Sequence, residues 1–401
     1  MKKVYIVAAK RTAIGSMLGA LRSVPAADLG ATVVKQLLAD TGLVSKDIDE
    51  VIVGNVLPAG QGQGVGRQVA IKAGLADTVT AYSLNMVCGS GMKAVINGLL
   101  SIQAGYNRIV IAGGCENMSN APMLLPSKVR DGVKMGNFSV VDHMIYDALT
   151  DAYSNVHMGI TAENIAAKYD ITREQQDAFA YASQLKAIAA ADGGAFRDEI
   201  VPVVVKERKG ERIVDADEYP NRTTNPEKLA KLRPAFKADG TVTAGNASGI
   251  NDGASFVILA DEDAVKEHNL TPLVEIVGVG QGGVDPQYMG LGPVPAIRNA
   301  LAYADLKLEQ MDILELNEAF AAQSLGVVHE LVEEHHVDRE ALMAKVNVNG
   351  GAIALGHPVG ASGNRILVTL IHLMQKKECT YGLASLCIGG GMGTAIIVKK
   401  V

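Results

Sequence analysis

The sequence predicts an α/β fold made of one unit used twice: two similar mixed-sheet halves inside helical layers, with a loop domain inserted in the first. Three observations predict it. Short, almost wholly apolar runs such as Arg108-Ile109-Val110-Ile111-Ala112-Gly113-Gly114 read as strands covered on both faces. Segments with helical spacing alternate with them, the pattern of a parallel or mixed sheet between helices. The order of these segments then recurs towards the C-terminus, the mark of an internal repeat.

Taken in order, residues 4–8 form a first apolar strand, and residues 26–39 carry Leu29, Val33, Leu37 and Leu38 at helical spacing before a stop at Gly42. Residues 51–55 are a second buried strand. The glycine- and glutamine-rich stretch 60–66 lacks the Lys-Ser/Thr ending of a P-loop and reads as a structural loop, followed by a short helix over 67–74. Residues 81–87 are strand-like and lead into Cys88-Gly89-Ser90-Gly91. Behind that turn, residues 93–104 are apolar except for a narrow stripe of Lys93, Asn97 and Ser101, so a buried helix is expected there.

From about residue 121 to 244 the texture changes to charged, proline-containing loops with one clear amphipathic helix over 172–190; this is the expected insertion. The core resumes near Val242 and with a strand over 254–259. Residues 274–278, 294–304 and 312–317 then repeat the opening strand, helix and strand. Residues 346–351 lead to Gly356-His357-Pro358-Val359-Gly360-Ala361-Ser362-Gly363 and the apolar run 366–374, the counterpart of the Cys88 turn and its helix. Residues 383–387 match 109–113, and 394–398 close the sheet. The N-terminal half is thus expected over 1–265 and the C-terminal half over 270–401. Equivalent turns of a duplicated unit lie near one pseudo-twofold axis, so Cys88 and His357, about 270 positions apart, should converge.

The Cys88 turn is where chemistry is expected first. Gly89 and Gly91 offer positive φ and close backbone approach, and a thiol at a helix N-terminus feels exposed N–H groups that can lower its pKa from about 8.5 to roughly 7 or below. Position alone does not separate such a thiol from a small buried hydrophobe. Of the eight histidines only His357 sits in a glycine-flanked turn, which reads as exposed and not as a packed face.

Composition bounds the function. With 401 residues, 48% hydrophobic and 20% charged, the chain has the make-up of a soluble globular protein. A net charge of −6 without a basic run argues against nucleic acid as the main partner. No apolar run reaches membrane-spanning length, and Lys10 and Arg11 interrupt the start too early for a signal peptide, so no membrane partner is expected. The four cysteines, Cys88, Cys115, Cys379 and Cys387, show no zinc spacing and fit a reducing, cytoplasmic compartment. No metal is expected.

Four stretches, in order and over both halves, resemble the thiolase family, most closely its short-chain, biosynthetic type: Val87-Cys88-Gly89-Ser90-Gly91, Asn317-Glu318-Ala319-Phe320, Asn347-Val348-Asn349-Gly350-Gly351 through Gly356-His357-Pro358, and Cys387-Ile388-Gly389-Gly390-Gly391-Met392-Gly393. The resemblance implies an acyltransferase that condenses two acetyl-CoA to acetoacetyl-CoA and CoA, reversibly, through an acetyl-cysteine. It uses CoA thioesters as substrates and no separate cofactor. It also implies a homo-oligomer, dimer or tetramer.

Carried over residue by residue, the resemblance makes Cys88 the nucleophile and His357 its base, later a donor to the oxyanion of the incoming acyl group. Cys387 becomes the acid/base for the α-proton, a buried structural cysteine being the alternative. The N–H groups of Cys88 and Gly389 form one oxyanion hole, and Asn317 holds a water that shares the other with His357. Ser248 would lie beside the pantetheine, with Ala319 and Phe320 in the substrate-binding set, and His157 and Met158 would line the acyl pocket, unless Met158 only fills a core gap. Two departures concern the nucleotide end of CoA. Many relatives have arginine where this chain has Asn221, with Arg222 one place later, and the loop 62–67 is richer in glycine.

Rival readings are a degradative 3-ketoacyl-CoA thiolase for longer chains, a β-ketoacyl synthase, disfavoured by the Cys387 motif, and a non-catalytic acyl-CoA or lipid-binding protein on the same scaffold. A dinucleotide-binding oxidoreductase lacks its G-x-G-x-x-G after the first strand. The acidic stretch 330–340, with His335 and His336, reads as a lengthened surface segment without a role.

Overall fold

A computed structural model describes residues 2–401. The N-terminal half runs β1 (Val4–Thr12), β2 (Gly15–Ser16), α1 (Ala26–Thr41), β3 (Glu50–Gly54), α2 (Val65–Lys72), β4 (Thr80–Leu84), α3 (Ser90–Gln103) and β5 (Ile109–Asn117). The insertion holds β6 (Met123–Leu124), β7 (Val141–Asp142), α4 (Met158–Lys168), α5 (Arg173–Asp192), β8 (Ile200–Val201), the hairpin β9 (Val203–Glu207) and β10 (Gly210–Val214), and α6 (Pro226–Ala230). Strand β11 (Asn251–Asp261) and α7 (Glu262–Glu267) return to the core. The second half runs β12 (Val274–Gly283), α8 (Pro293–Ala304), β13 (Ile313–Leu316), α9 (Ala321–His335), α10 (Arg339–Lys345), α11 (Ala352–Leu355), α12 (Val359–Lys376), β14 (Tyr381–Ile388) and β15 (Met392–Lys400).

The repeat shows in the strand pairing. The main sheet has the order β13-β14-β15-β12-β1-β11-β5-β3-β4, and its halves meet where Tyr5 pairs Glu275 and Ile6 pairs Val274. Outward from that seam, β1-β11-β5 and β12-β15-β14 are both antiparallel, and β5-β3 and β14-β13 are both parallel. Where β4 lies beside β3, a single parallel bridge from Leu314 to Val346 takes the equivalent place. The fully buried strand β5 is the apolar run expected of a doubly covered strand.

Helices α3 and α12 form the middle layer and pack against each other with sheet residues on both sides. Glycine makes this contact possible. A methyl group at Gly91 would lie 2.9 Å from the Gly360 carbonyl oxygen, and one at Gly363 would lie 2.7 Å from the Met92 nitrogen. Each helix start is therefore pressed onto the other's backbone. Leu100 departs from the expected burial: seven residues after Lys93 it falls on the same stripe and is 47% exposed.

One expectation is corrected here. The inserted segment is more regular than a loop domain with one helix: it adds α4 and a hairpin, and β8 pairs with β1 in the core sheet. Its amphipathic helix α5 starts on the capping box of Thr172 and Gln175. It docks through polar as well as apolar groups, since Asn246 donates to Asp177 at 2.9 Å and Gln176 to Thr241 at 2.8 Å. The stretch 330–340 lies at the surface as expected, with Leu331 alone buried. It closes α9, turns at His336 with φ 53°, and starts α10 with Asp338 accepting from the Ala341 N–H at 2.8 Å.

The α3–α12 crossing leads to a stability prediction. A methyl group at Gly114 would sit 2.0 Å from the Gly360 carbonyl oxygen, whereas Gly105, with φ 77°, has nothing within 4 Å. Gly114→Ala is expected to cost about 3 kcal/mol or more in denaturant unfolding, as overpacking against backbone. Gly105→Ala should cost only about 1 kcal/mol, from its left-handed φ.

Candidate active site

Cys88 sits in a tight turn between β4 and α3 that its neighbours lock. The Ser90 hydroxyl accepts from the Met86 N–H at 2.8 Å and donates to the Val87 carbonyl at 2.7 Å, and Asn85 Oδ1 accepts from the Val87 N–H at 2.9 Å. The positive φ expected at Gly89 and Gly91 is instead at Val87, with φ 45°. A β-branched residue held there stores strain of order 1–3 kcal/mol. Gly89 is needed for space: a methyl group on it would lie 2.3 Å from Ile388 Cδ1, at the end of the strand that carries Cys387.

The expected low thiol pKa is also corrected. Burial pushes the Cys88 thiol up to about 11, against which the backbone N–H groups of Gly389 and of Cys88 itself pull it down. Cys88 is only partly exposed, at the floor of its cavity, and desolvation of a thiolate there outweighs the helix N-terminus. The free protein therefore holds a thiol and needs a base.

His357 lines the same cavity. Its ring Nδ1 lies 2.5 Å from the Ser362 hydroxyl, which donates to the Pro358 carbonyl at 2.8 Å. With its proton spent there, the Ser362 oxygen accepts from Nδ1–H, and Nε2 is left as the unprotonated nitrogen. Burial, with the Arg365 cation adding to it, lowers the imidazole pKa to about 4. The ring is neutral at physiological pH. The exposed turn expected from the flanking glycines is in fact buried, with His357 6% exposed, because Gly356 takes φ 102° and packs its α-carbon against Asn251. The Asn251 side chain accepts from the His357 N–H at 2.9 Å.

Cys88, His357, Cys387 and Gly389 line one cavity of about 190 Å³. Cys387 is 1% exposed at the end of β14, and burial first, then the nearby Cys88, raises its thiol far above the ordinary range. Ser248, His157, Met158, Ala319 and Phe320 line the same cavity. His157 stacks on Phe236 with centroids 4.6 Å apart, and its Nδ1 accepts from the Gly159 N–H at the start of α4. Met158 packs with Met289, Ala319, Phe320 and Cys387 in one apolar cluster.

The two domain descriptions that match this chain settle its kinship: the thiolase N-terminal domain over residues 4–263 and the thiolase C-terminal domain over 270–400. The chain belongs to the thiolase family. It is 56% identical over 399 residues to an acetyl-CoA acetyltransferase of Chromobacterium violaceum, covering 99% of this chain and 100% of the relative. A Pseudomonas aeruginosa acetyl-CoA acetyltransferase is 54% identical over 401 residues, with both chains fully covered. The crystal structure of the Bacillus anthracis acetyl-CoA acetyltransferase superposes with a TM-score of 0.95 at 43% identity, over 100% of this chain and 99% of that one.

In this thiolase Asn317 is 2% exposed, just past β13, and neither its amide oxygen nor its nitrogen has a hydrogen-bond partner in the protein. It is not among the residues that line the cavity. Arg222 is not brought to the cavity: it is exposed and pairs with Asp192 through contacts of 3.0 and 2.5 Å. Among the described residues no group of three or more His, Cys, Asp or Glu could hold a metal ion.

The sequence reading missed the buried carboxylates behind the site. Glu318 accepts from Ser183 at 2.6 Å, from Asn347 at 2.9 Å and from the Ile353 N–H at 3.3 Å, which fastens the Asn317 segment to α5 and to the glycine turn before α11. Glu116 does the same for other segments. The available signal was a lone carboxylate at the end of an apolar strand, costly unless several donors meet it.

The thiol's state is measurable. Iodoacetamide should alkylate Cys88 in the substrate-free protein at a rate that climbs about tenfold per pH unit from 7 to 10. A plateau near pH 7 would instead mark a thiolate already formed by the helix N-terminus.

Proposed function

We propose that this thiolase is an acetyl-CoA C-acetyltransferase, which condenses two acetyl-CoA to acetoacetyl-CoA and CoA and runs the reverse thiolysis through an acetyl group on Cys88. The observation that carries it is the convergence of two thiols, a neutral imidazole with a free Nε2 and the Gly389 N–H on one small apolar cavity. Relatives and a solved structure bearing the acetyl-CoA acetyltransferase name support it.

In the first half-reaction His357 Nε2 takes the Cys88 proton, and the sulfur attacks the thioester carbon of acetyl-CoA. The N–H groups of Cys88 and Gly389 receive the oxyanion; one such donor is worth about 3 kcal/mol. The CoA thiolate leaves and takes its proton from Cys387. Acetylated Cys88 can no longer carry the negative charge that raises the Cys387 pKa, so the Cys387 thiolate is easier to keep.

The second acetyl-CoA then gives its α-proton to Cys387. Protonated His357, with the water we assign to the unpartnered Asn317 amide, donates to the enolate oxygen. The enolate carbon attacks the acetyl group, and departing Cys88 recovers its proton from His357. Every proton returns to its starting group.

Acetyl-CoA, acetoacetyl-CoA and CoA are thus the partners we assign, with no further cofactor. Ser248, on the cavity wall, fits the pantetheine. Arg222, held by Asp192, has no visible reach to the nucleotide. A cytoplasmic setting fits the four free cysteines, and no helix among the described residues is long and apolar enough to cross a membrane. A homo-oligomer, dimer or tetramer, is supported by the exposed apolar side chains Met123, Leu125, Met135 and Phe138 on one segment of the insertion.

Brief exposure to acetyl-CoA should place an acetyl group on Cys88, read by peptide mass spectrometry; a label on Cys387 or Cys115 would overturn the assignment. Cys387→Ala should still acylate, the CoA leaving as a thiolate that takes its proton from water, yet lose acetoacetyl-CoA thiolysis. Retention of thiolysis within about tenfold, or about 1.4 kcal/mol, would remove Cys387 from the mechanism.

Chain length tests the pocket. Met158 closes the acyl end beside Gly389, where a methyl group would meet its sulfur at 3.5 Å. Each methylene forced into a filled site costs roughly 1 to 3 kcal/mol, while an open tunnel would return about 0.8 kcal/mol per CH₂. kcat/KM should therefore be highest for acetoacetyl-CoA and fall steeply from six acyl carbons upward. An equal or greater value with 3-ketohexadecanoyl-CoA would favour a degradative thiolase.

A further inference from the structure

Helix α12 begins immediately after the catalytic histidine and has no cap of its own. Its N-cap residue is Pro358, which has no side chain able to accept a hydrogen bond, and none is made. The first-turn N–H groups of a buried helix nevertheless need acceptors. The acceptor for Gly360 comes from the other half of the molecule: Glu116 Oε2, at the end of β5, takes the Gly360 N–H at 3.0 Å across 244 positions of sequence.

The same carboxylate is occupied on its other sides by the segment after β3. Oε2 also accepts from the Val56 N–H at 2.9 Å, and Oε1 accepts from the Leu57 N–H at 3.2 Å and the Asn55 side chain at 2.9 Å. That segment follows Gly54, whose α-carbon lies against Ser90, where a methyl group would come within 2.5 Å of the Ser90 carbonyl carbon. Ser90 is the residue that staples the Cys88 turn. Glu116 is 0% exposed, and its two oxygens accept from four donors.

We propose that Glu116 is a positioning residue for the reaction: it caps α12 from the N-terminal half, and so sets the distance and angle at which His357 faces Cys88. A Ser or Asp at the N-cap would satisfy the Gly360 N–H but would tie the start of α12 only to its own turn. Capping from β5 ties it to the bed on which the Cys88 turn rests. The proximity of nucleophile and base is then held by a group that touches neither. Burial drives the Glu116 carboxyl up to about 7, with the Asp252 charge adding to it, while the Val56, Leu57 and Gly360 N–H groups pull it back. The donors are therefore what holds an acceptor at this spot.

The consequence rests on the condensing function proposed above, and its test is arranged to separate the two. Glu116→Gln keeps the shape but turns one lobe into a donor, and either lobe faces two donors. The expected result for acetoacetyl-CoA thiolysis is a fall in kcat on the order of 100-fold with KM within about threefold of wild type. A substrate-independent arm uses 4-nitrophenyl acetate as acyl donor to Cys88, where Glu116→Gln should acylate as slowly as His357→Ala. If wild type shows no thiolysis, the condensing function fails, and the 4-nitrophenyl acetate arm still judges Glu116.

Asp261→Asn is the control. Asp261 is another buried capping carboxylate, at the far end of β11 from Asn251, and its loss should lower the melting temperature without changing either rate by more than about threefold. Should Glu116→Gln be recovered unfolded, Glu116→Asp keeps the charge but shortens the reach, and should lower kcat roughly tenfold at unchanged KM. The proposal is overturned by a folded Glu116→Gln or Glu116→Asp protein with wild-type kcat, by a loss that falls on KM alone, or by the same loss of rate in Asp261→Asn.

Discussion

The contact on which the rest of this structure depends is the backbone-to-backbone packing of the starts of α3 and α12. Gly91 lies against Gly360 and Asn364, Gly363 against Met92, and Gly114 against the Gly360 carbonyl. No side chain fits between these segments. Because each helix start belongs to one copy of the repeat, the crossing places the turn before α3 and the turn before α12 on the same cavity, and with them Cys88 and His357. Close packing of this kind tolerates little displacement, so the separation of the two side chains is held fixed.

Burial then sets the charge state of the site. Desolvation disfavours whichever form is charged, so it raises both thiols and lowers the imidazole at once. The resting site is neutral, and its charges arise only as a thioester enters and a CoA thiolate leaves. A thiol with a low pKa would be ionised permanently, and a better target for oxidants. The protein's fixed polarity is concentrated instead in backbone N–H groups and in the hydroxyl of Ser362, which orients one ring nitrogen and frees the other.

The buried carboxylates form a layer behind this neutral centre. Glu318 fastens the Asn317 segment to Asn347 and Ser183, and Glu116 fastens α12 to the segment after β3. The pair of Glu315 and Arg365, 3.7 Å apart and both almost fully buried, lies between β13 and α12. Arg365 in turn contributes to keeping His357 neutral. An uncompensated charge in such surroundings would be costly: Glu116 and Glu318 meet several donors, whereas Glu315 faces Arg365 without a hydrogen bond and burial pushes its carboxyl up to about 8.

Much of this was legible in the residues alone. Apolar runs such as 109–113 mark strands because they are short, rich in β-branched residues and closed by glycines, and the recurrence of strand, helix and turn marks the duplication, since a repeat leaves its period in sequence. Cys88, ahead of Gly89 and Gly91, and His357, between Gly356 and Gly360, stood out for a local reason, since a turn that needs glycine records that need in its sequence, whereas Cys387 was reached through the resemblance of its motif. What only the tertiary structure decided was how those residues are surrounded. The burial of the His357 turn, the high pKa of Cys88, the docking of β8 on β1 and the capping of α12 by Glu116 all depend on partners more than a hundred positions away or on solvent exclusion by the whole fold. Periodicity and motif spacing describe a segment's own conformation, whereas desolvation and hydrogen-bond satisfaction are properties of whatever packs against it.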